Sequence, residues 1–191
     1  MFENSVASFN ADKILSKSFA KVQMLKLPKG ILTHPNASQI EEAFRFNMRL
    51  LFSKGRLEVP QWPFNEAMRA ALVTAYSSKH LIQGLESIEQ HLDAELKGLK
   101  ALQSQPGQDQ KQRLSRLLLL SNDGSERFYH SAESILLRHA DRTLGCMIDA
   151  TADQLGQGVT KKSNPAKALL IDERKALEVF LIEINRASSP G

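Results

Sequence analysis

The segment LLLLSNDGSERFYHSAESILLRHAD, residues 117–141, decides the fold that the sequence predicts. A helix cannot easily continue through Asn-Asp-Gly at 122–124, because glycine loses the most backbone entropy and the Asn and Asp side chains compete for backbone hydrogen bonds. We therefore expect a helix containing the four leucines to end there. Asp123 can then accept from the free amides of a new first turn while Glu126 reaches back, as in a capping box. The segment is predicted to be the corner between two helices.

A long helix is predicted to follow this corner. Apolar residues recur there at spacings of three, four and seven, which places them on one face of an α-helix. They are Phe128, Ala132, Ile135, Leu136, Leu144, Met147, Ile148 and Leu155. The pattern favours one helix from Arg127 to Leu155 with a buried apolar side.

The longest predicted helix spans residues 66–103, with Asn65 as its N-cap. At about 1.5 Å per residue it would be roughly 55–60 Å long. Its second half carries a coiled-coil-like stripe that comprises Leu81, Leu85, Ile88, Leu92, Leu96, Leu99 and Leu102. Such a helix needs an antiparallel partner, which residues 108–155 can supply. Interior glycines at 84 and 98 leave a local break as the alternative.

The predicted fold class is mainly α: an elongated helical bundle built on a long antiparallel helical hairpin. Two further helices are expected, at 39–54 behind a Ser38–Glu41 capping box and at 166–186. Residues 59–64 are expected to be extended, because two prolines flank Trp62.

One region keeps a β alternative. Residues 21–33 contain Pro-Lys-Gly between two apolar stretches, so they fit a small β-hairpin as well as a helix. Residues 56–59 would then be a third strand.

A single helical domain, residues 1–191, is expected. Composition distinguishes three parts within it: a basic N-terminal arm or hairpin at 1–35, a mobile basic loop at 156–165 and a frayed tail at 187–191.

The composition is that of a globular protein. Of 191 residues, 42% are hydrophobic and 24% charged, which argues against a disordered chain. No apolar run approaches the roughly 20 residues of a membrane span, and residues 1–20 lack a signal-peptide core. The single cysteine, Cys146, lies among apolar residues and is expected to be an unreactive core thiol. We expect a cytoplasmic protein.

The charge distribution admits nucleic acid as a partner. The net charge is +4 and the pI about 9.2, with the basic residues concentrated at the two ends and in one loop. Phosphates could be contacted by Lys13, Lys17, Lys21, Lys161, Lys162 and Lys167, and by a second patch of Arg113, Arg116, Arg127, Arg138 and Arg142. None of the usual base-reading motifs is present, so such binding would be sequence-independent.

No catalytic residue, metal ligand set or cofactor is predicted. The sequence lacks a Gly-x-Ser-x-Gly elbow, a His-Glu-x-x-His motif and the Gly spacing of a phosphate-binding loop. The densest polar cluster, at 123–142, combines carboxylates, histidines and arginines. A small-molecule or metal-dependent enzyme using this cluster is one alternative.

The function favoured by the sequence is that of a non-enzymatic helical interaction protein, a subunit or adaptor of a macromolecular assembly that presents helix faces to protein partners. Aromatic side chains carry much of the energy at protein interfaces. The candidate interface residues are Trp62, Phe64, Tyr129 and His130. A protein partner, a homo-oligomer or both are expected, and a sequence-independent nucleic-acid-binding subunit is the alternative.

Overall fold

The computed structural model describes residues 27–103, 113–160 and 164–186. They form a six-stranded mixed sheet of order β1-β2-β5-β4-β6-β3 with helices on both faces. The strands are β1 (Met48–Leu50), β2 (Glu58–Pro63), β3 (Leu81–Gln83), β4 (Arg116–Leu120), β5 (Thr143–Asp149) and β6 (Ala168–Ile171). The helices are α1 (Lys29–Leu32), α2 (Ala37–Ala43), α3 (Glu66–Ser77), α4 (Leu85–Gln103), α5 (Glu126–Arg138), α6 (Ala152–Thr160) and α7 (Arg174–Arg186). The protein is α/β, and the predicted mainly α bundle is wrong.

Strand β4 lies at the centre of the sheet and contains the four leucines that were expected to end a helix. It pairs in parallel with β5 and antiparallel with β6. All four leucines, 117–120, have 0% of their surface exposed. A strand covered on both faces reads as a continuous apolar run instead of an alternating one. The four leucines therefore have no hydrophobic periodicity that distinguishes a buried strand from a buried helix.

Two apolar layers enclose the sheet. Leu117 and Leu119 pack into one core with α1, α2, α3, α6 and α7. Leu118 and Leu120 point to the other face and pack against α4 and α5. Alternate side chains of one strand thus serve two separate cores, as the strand geometry requires.

The expected long helix at 66–103 is interrupted by β3. Lys79 has a φ of 62° and Gly84 a φ of 93°, and neither value is compatible with a right-handed helix. Between them, residues 81–83 pair with β6, and the Gly84 amide donates to the Ala168 carbonyl at 3.0 Å. The predicted coiled-coil stripe is wrong, because its first leucine, Leu81, belongs to a strand.

Three other predicted helices are also wrong in extent. The helix expected at 39–54 ends at Ala43 and is followed by β1; the one at 127–155 becomes α5, β5 and α6; and the one at 166–186 becomes β6 and α7. Most residues of β5 and all residues of β6 are buried, and most of them are apolar, so a helical spacing of three and four is satisfied by coincidence.

The smaller regional predictions have mixed outcomes. The extended conformation of 59–64 is largely confirmed, since β2 covers residues up to Pro63. The hairpin at 21–33 is wrong where the structure describes it, because Lys29–Leu32 is helical. The loop predicted at 156–165 is helical to Thr160. Residues 1–26 of the arm, residues 161–163 of the loop and the whole tail at 187–191 lie outside the described residues.

Cys146 is fully buried in β5, which confirms the core thiol, and burial raises its pKa well above the usual value. Within the described ranges, no helix is both long and apolar enough to cross a membrane.

The corner at 122–124 is confirmed as a turn, but its capping differs from the prediction. Ser125 is the N-cap of α5, and its side chain accepts from the Phe128 amide. Asp123 instead accepts from the Ala152 amide at 3.0 Å and so joins the end of β4 to the start of α6. The capping box with Glu126 is not formed.

A buried carboxylate joins α5 to the start of β2. Glu133 Oε1 accepts from the Arg56 amide at 2.6 Å and from the Leu57 amide at 2.8 Å. Both donors precede the strand that carries Trp62, and buried amides without an acceptor are costly. Glu133 therefore fixes where β2 enters the sheet.

We expect Glu133→Ala to lower the free energy of unfolding by about 1–3 kcal/mol, because it removes the acceptor of two backbone amides. Urea denaturation followed by circular dichroism measures the change. Glu126→Ala is the matched control on the same helix: it removes an exposed first-turn carboxylate that pairs with Lys54 and should change stability by less than about 1 kcal/mol. Equal effects of the two variants would contradict the anchoring role of Glu133.

Candidate functional site

A largely apolar cavity opens beside Trp62, where the end of β2 meets α2 and the last turns of α7. Its volume is about 410 Å³. The apolar lining includes Ile40, Phe44, Trp62, Met68, Leu181 and Ile184. The polar lining includes Gln39, Glu42, Asn47, Gln61, Asn65 and Asn185. Four elements distant in sequence thus form one concave surface.

Trp62 lies inside this cavity wall and is only 7% exposed. Its indole Nε1 donates to the Ala43 carbonyl at 3.0 Å, which satisfies a free carbonyl at the end of α2. The Phe44 ring packs against it with a centroid distance of 5.1 Å. Trp62 therefore holds α2 against the sheet and forms part of the cavity wall.

Phe46 is the exposed aromatic residue at the rim of the cavity. Its side chain is 73% exposed, a large fraction for a phenylalanine. The next residue, Asn47, has a φ of 54°, a left-handed conformation that Asn tolerates better than most residues. Asn47 also bonds to Gln61 through its carbonyl and its side-chain amide, which turns the chain from α2 into β1. Phe46 is thus held outward by an ordered turn.

The exposed apolar surface continues along β1. Met48 and Leu50 are 39% and 42% exposed and alternate with Arg49. Together, Phe46, Met48, Leu50 and the cavity beside Trp62 form what we call the β1 surface.

The other three predicted interface residues do not form one surface with Trp62. Phe64 is partly buried and packs close to Gly158 of α6. Tyr129 is buried: its hydroxyl donates to the Ser121 carbonyl at 2.8 Å and accepts from the Gly124 amide at 2.9 Å, and burial raises its pKa. His130 is exposed on α5, on the opposite side of the sheet, with its ring against Phe52.

The predicted polar cluster at 123–142 separates into structural contacts. The side chains of Asn122 and Asp149 form a hydrogen bond at the ends of β4 and β5. The buried Glu133 carboxylate accepts from the Leu57 amide just before β2. Arg138 and His139 turn toward Asp93 of α4, at 2.9 Å and 3.0 Å. Within the described ranges, no group of three or more His, Cys, Asp or Glu side chains is placed to hold a metal ion.

The Asp93 cluster links α4 to the end of α5. Burial acts to raise the pKa of Asp93, but hydrogen bonds and charge from Arg138, and then from His139, outweigh it and lower that pKa. Arg138 also contacts Glu89 at 3.1 Å. The contact joins two helices on the same face of the sheet.

We expect Asp93 to stabilise the fold above the pKa of a free Asp, about 3.9, and to lose this effect as the pH falls through its lower folded-state pKa. Thermal melts of the wild type and Asp93→Asn at pH 5 and at lower pH test this. The stability difference between them should shrink with acid. A difference that stays constant down to pH 2 would rule out the depressed pKa.

Within the described residues, the side chains predicted to contact nucleic acid do not form a single patch. Lys13, Lys17, Lys21, Lys161 and Lys162 lie outside the described residues, and Lys167 is exposed just before β6. Arg127 is exposed in the first turn of α5, and Arg138 is ion-paired near the other end of that helix.

Two of the predicted arginines, Arg116 and Arg142, do come together at the start of β4 and β5. Arg116 forms an ion pair with Glu95, and the Arg142 side chain donates to the Ser115 hydroxyl at 3.1 Å. Partial burial, and then the charge of Arg116, lowers the pKa of Arg142. Both guanidinium groups therefore have partners within the fold.

Arg113 lies three residues before β4, and its guanidinium donates to the Leu27 carbonyl at 3.3 Å. It connects the first described residue of the chain to the segment that enters the central strand.

Comparison with known proteins adds no family. Neither a family model nor a curated protein matches this sequence. Among solved structures, similarity is found to a protein of unknown function from Bacillus halodurans C, with 11% sequence identity and a TM-score of 0.41 over 60% of this chain and 96% of that one. At this TM-score the similarity carries no argument about fold or function.

Proposed function

We propose that this protein is a non-enzymatic interaction protein, a subunit or adaptor of a macromolecular assembly, that binds a protein partner through the β1 surface. The observation that carries the proposal is the exposure of Phe46, at 73%, beside a cavity of about 410 Å³. A partner that covers both the exposed aromatic side chain and the apolar cavity removes apolar surface from water, and this burial favours binding.

The chemistry of the cavity also favours binding over catalysis. Its polar lining residues are mainly amides, which donate and accept hydrogen bonds but do not titrate. Glu42 is the one titratable residue among the described lining residues. Amide groups around an apolar floor are suited to holding a side chain and a peptide backbone in one orientation.

The surface combines the parts of a binding hot spot. Trp62 is fixed in the wall by its bond to Ala43, so that wall is already formed before binding. Phe46 supplies an anchor that a partner can enclose, and hot-spot residues are typically aromatic side chains in well-packed, desolvated positions. Both residues line the same cavity.

We expect Phe46→Ala to weaken partner binding at least about tenfold, because truncating a central aromatic anchor costs on the order of 2 kcal/mol. Photo-crosslinking from benzoylphenylalanine at position 46 in cells identifies the partner, and calorimetry with the purified partner gives the affinity.

Leu137 provides the control, because it is 44% exposed on α5, which packs on the opposite face of the sheet. Leu137→Ala should change the affinity by less than about twofold, and position 137 should not crosslink to the same protein. Equal crosslinking from both positions, or equal effects of both truncations, would overturn the proposed function.

A further inference from the structure

Among the described residues, the outer side of β1 is an open sheet edge. In the strand order of the described residues, β1 lies at one end and pairs only with β2. The Leu51 amide donates to the Leu57 carbonyl at 3.0 Å, and the Gln61 amide to the Asn47 carbonyl at 3.1 Å.

These two bonds fix which backbone groups of β1 face outward. Opposite residues in an antiparallel pair alternate between bonded and non-bonded positions. Arg49 lies opposite Val59 and two residues from each bonded pair, so its backbone N–H and C=O groups face β2. The N–H and C=O groups of Met48 and Leu50 then face away from β2, toward the open edge.

The side chains of this edge alternate in character. Phe46, Met48 and Leu50 follow at every second residue and are all exposed. Arg49 points to the other face, where its Nη1 donates to the neutral amide oxygen of Gln61 at 2.9 Å. An added strand would therefore meet apolar side chains on one face and a guanidinium on the other.

The charge around this edge is basic. Between Ala43 and Leu57 the charged residues are Arg45, Arg49, Lys54 and Arg56, with no acid among them. Arg45 is paired with Glu41 and Lys54 with Glu126. Arg49, at the centre of β1, contacts an amide instead of a carboxylate, so its charge is available to a partner.

Resting on the proposed function, we infer that the partner adds an extended segment to β1 as a further antiparallel strand, with an acidic residue opposite Arg49 and an apolar residue on each side of it. Directly opposite side chains on one face of a sheet interact, so the carboxylate pairs with Arg49. The flanking apolar residues lie beside Met48 and Leu50, and backbone bonds to those two residues supply the affinity.

The charge of Arg49 favours such a segment over a second copy of this chain. Two β1 strands paired about a twofold axis at Arg49 would place Arg49 directly opposite its own copy. Like charges in that position destabilise the pairing, whereas an acidic residue stabilises it.

The probe is a fluorescein-labelled peptide, Ser-Thr-Val-Glu-Ile-Thr-Ser, and its control carries Lys in place of Glu. Fluorescence anisotropy at low salt measures both with the full chain. We expect the Glu peptide to bind at least about fivefold more tightly, and the preference to reverse in Arg49→Glu. Arg49 is exposed, so circular dichroism should show an unchanged fold. Equal affinities of the two peptides, or no reversal, would overturn the inference.

A second peptide tests the backbone contacts. Methylation of the Val and Ile amide nitrogens removes the two donors that face Met48 and Leu50, and binding should weaken at least about tenfold. Retained affinity would mean that the side chains alone dock in the cavity, which overturns strand addition. A concentration-dependent dimer of the free protein that the neutral variant Arg49→Gln strengthens, by removing the Arg–Arg repulsion, would make a second copy the occupant, with the same consequence.

The two proposals fail separately. If Phe46→Ala loses partner binding but the two peptides bind equally well, the proposed function is retained and the acidic strand is rejected. If the acidic peptide binds selectively but positions 46 and 137 crosslink equally, the proposed function is rejected instead.

Discussion

The structure depends on the burial of β4 from both faces. Its four leucines are fully excluded from water, and burying a leucine stabilises a fold by about 1.5–3 kcal/mol. Leu117 and Leu119 require helices on one side of the sheet, and Leu118 and Leu120 require helices on the other. The two-sided helical cover follows from this one strand, because a single layer of helices would leave two leucines in water.

The position of the β1 surface follows from the central position of β4 in the sheet. With β4 in the middle, β1 and β3 become the edges of the described sheet. The neighbour of β1, β2, contains two prolines, and Pro60 lies opposite Met48 at a position that needs no backbone bond to β1. Trp62 and Glu133 then attach β2 to α2 and α5. Hydrogen bonds therefore fix the inner side of this edge, and no strand of the described residues pairs with its outer side.

The sequence predicted local features better than the fold. The turn at 122–124, the extended prolines around Trp62 and the Asn65 cap depend on local chemistry, and each is present. The sheet could not be predicted in the same way, because its central strands are buried on both faces and lack alternation. The interruption at Lys79 has no signal in the sequence, because nothing in a lysine predicts a left-handed backbone, whereas the glycines at 84 and 98 leave a local break as an alternative.

The candidate site was missed for a different reason. Phe46, Asn47, Met48, Arg49 and Leu50 alternate apolar and polar residues, which is the signal of a strand. The same region also satisfies a helical spacing through Phe44, Met48 and Leu51, and the preceding capping signal favoured the helix. Trp62 was recognised as an interface candidate, but its neighbours in the cavity come from α2 and α7, which no local pattern connects. The sequence predicts partner binding through the helix faces of a bundle, and that bundle is wrong; the broader role of an interaction protein is not tested and stays a proposal.

Residue-resolved amide hydrogen exchange of the free protein, followed by NMR, tests the account most directly. With β4 at the centre and β1 at an open edge, we expect slow exchange at Leu118 and Leu119, intermediate protection at Arg49, and fast exchange at Met48 and Leu50, whose amides face that edge. Uniform protection of residues 48–50 would contradict it, because a helix or a covered strand would then replace the open edge on which the binding proposal depends.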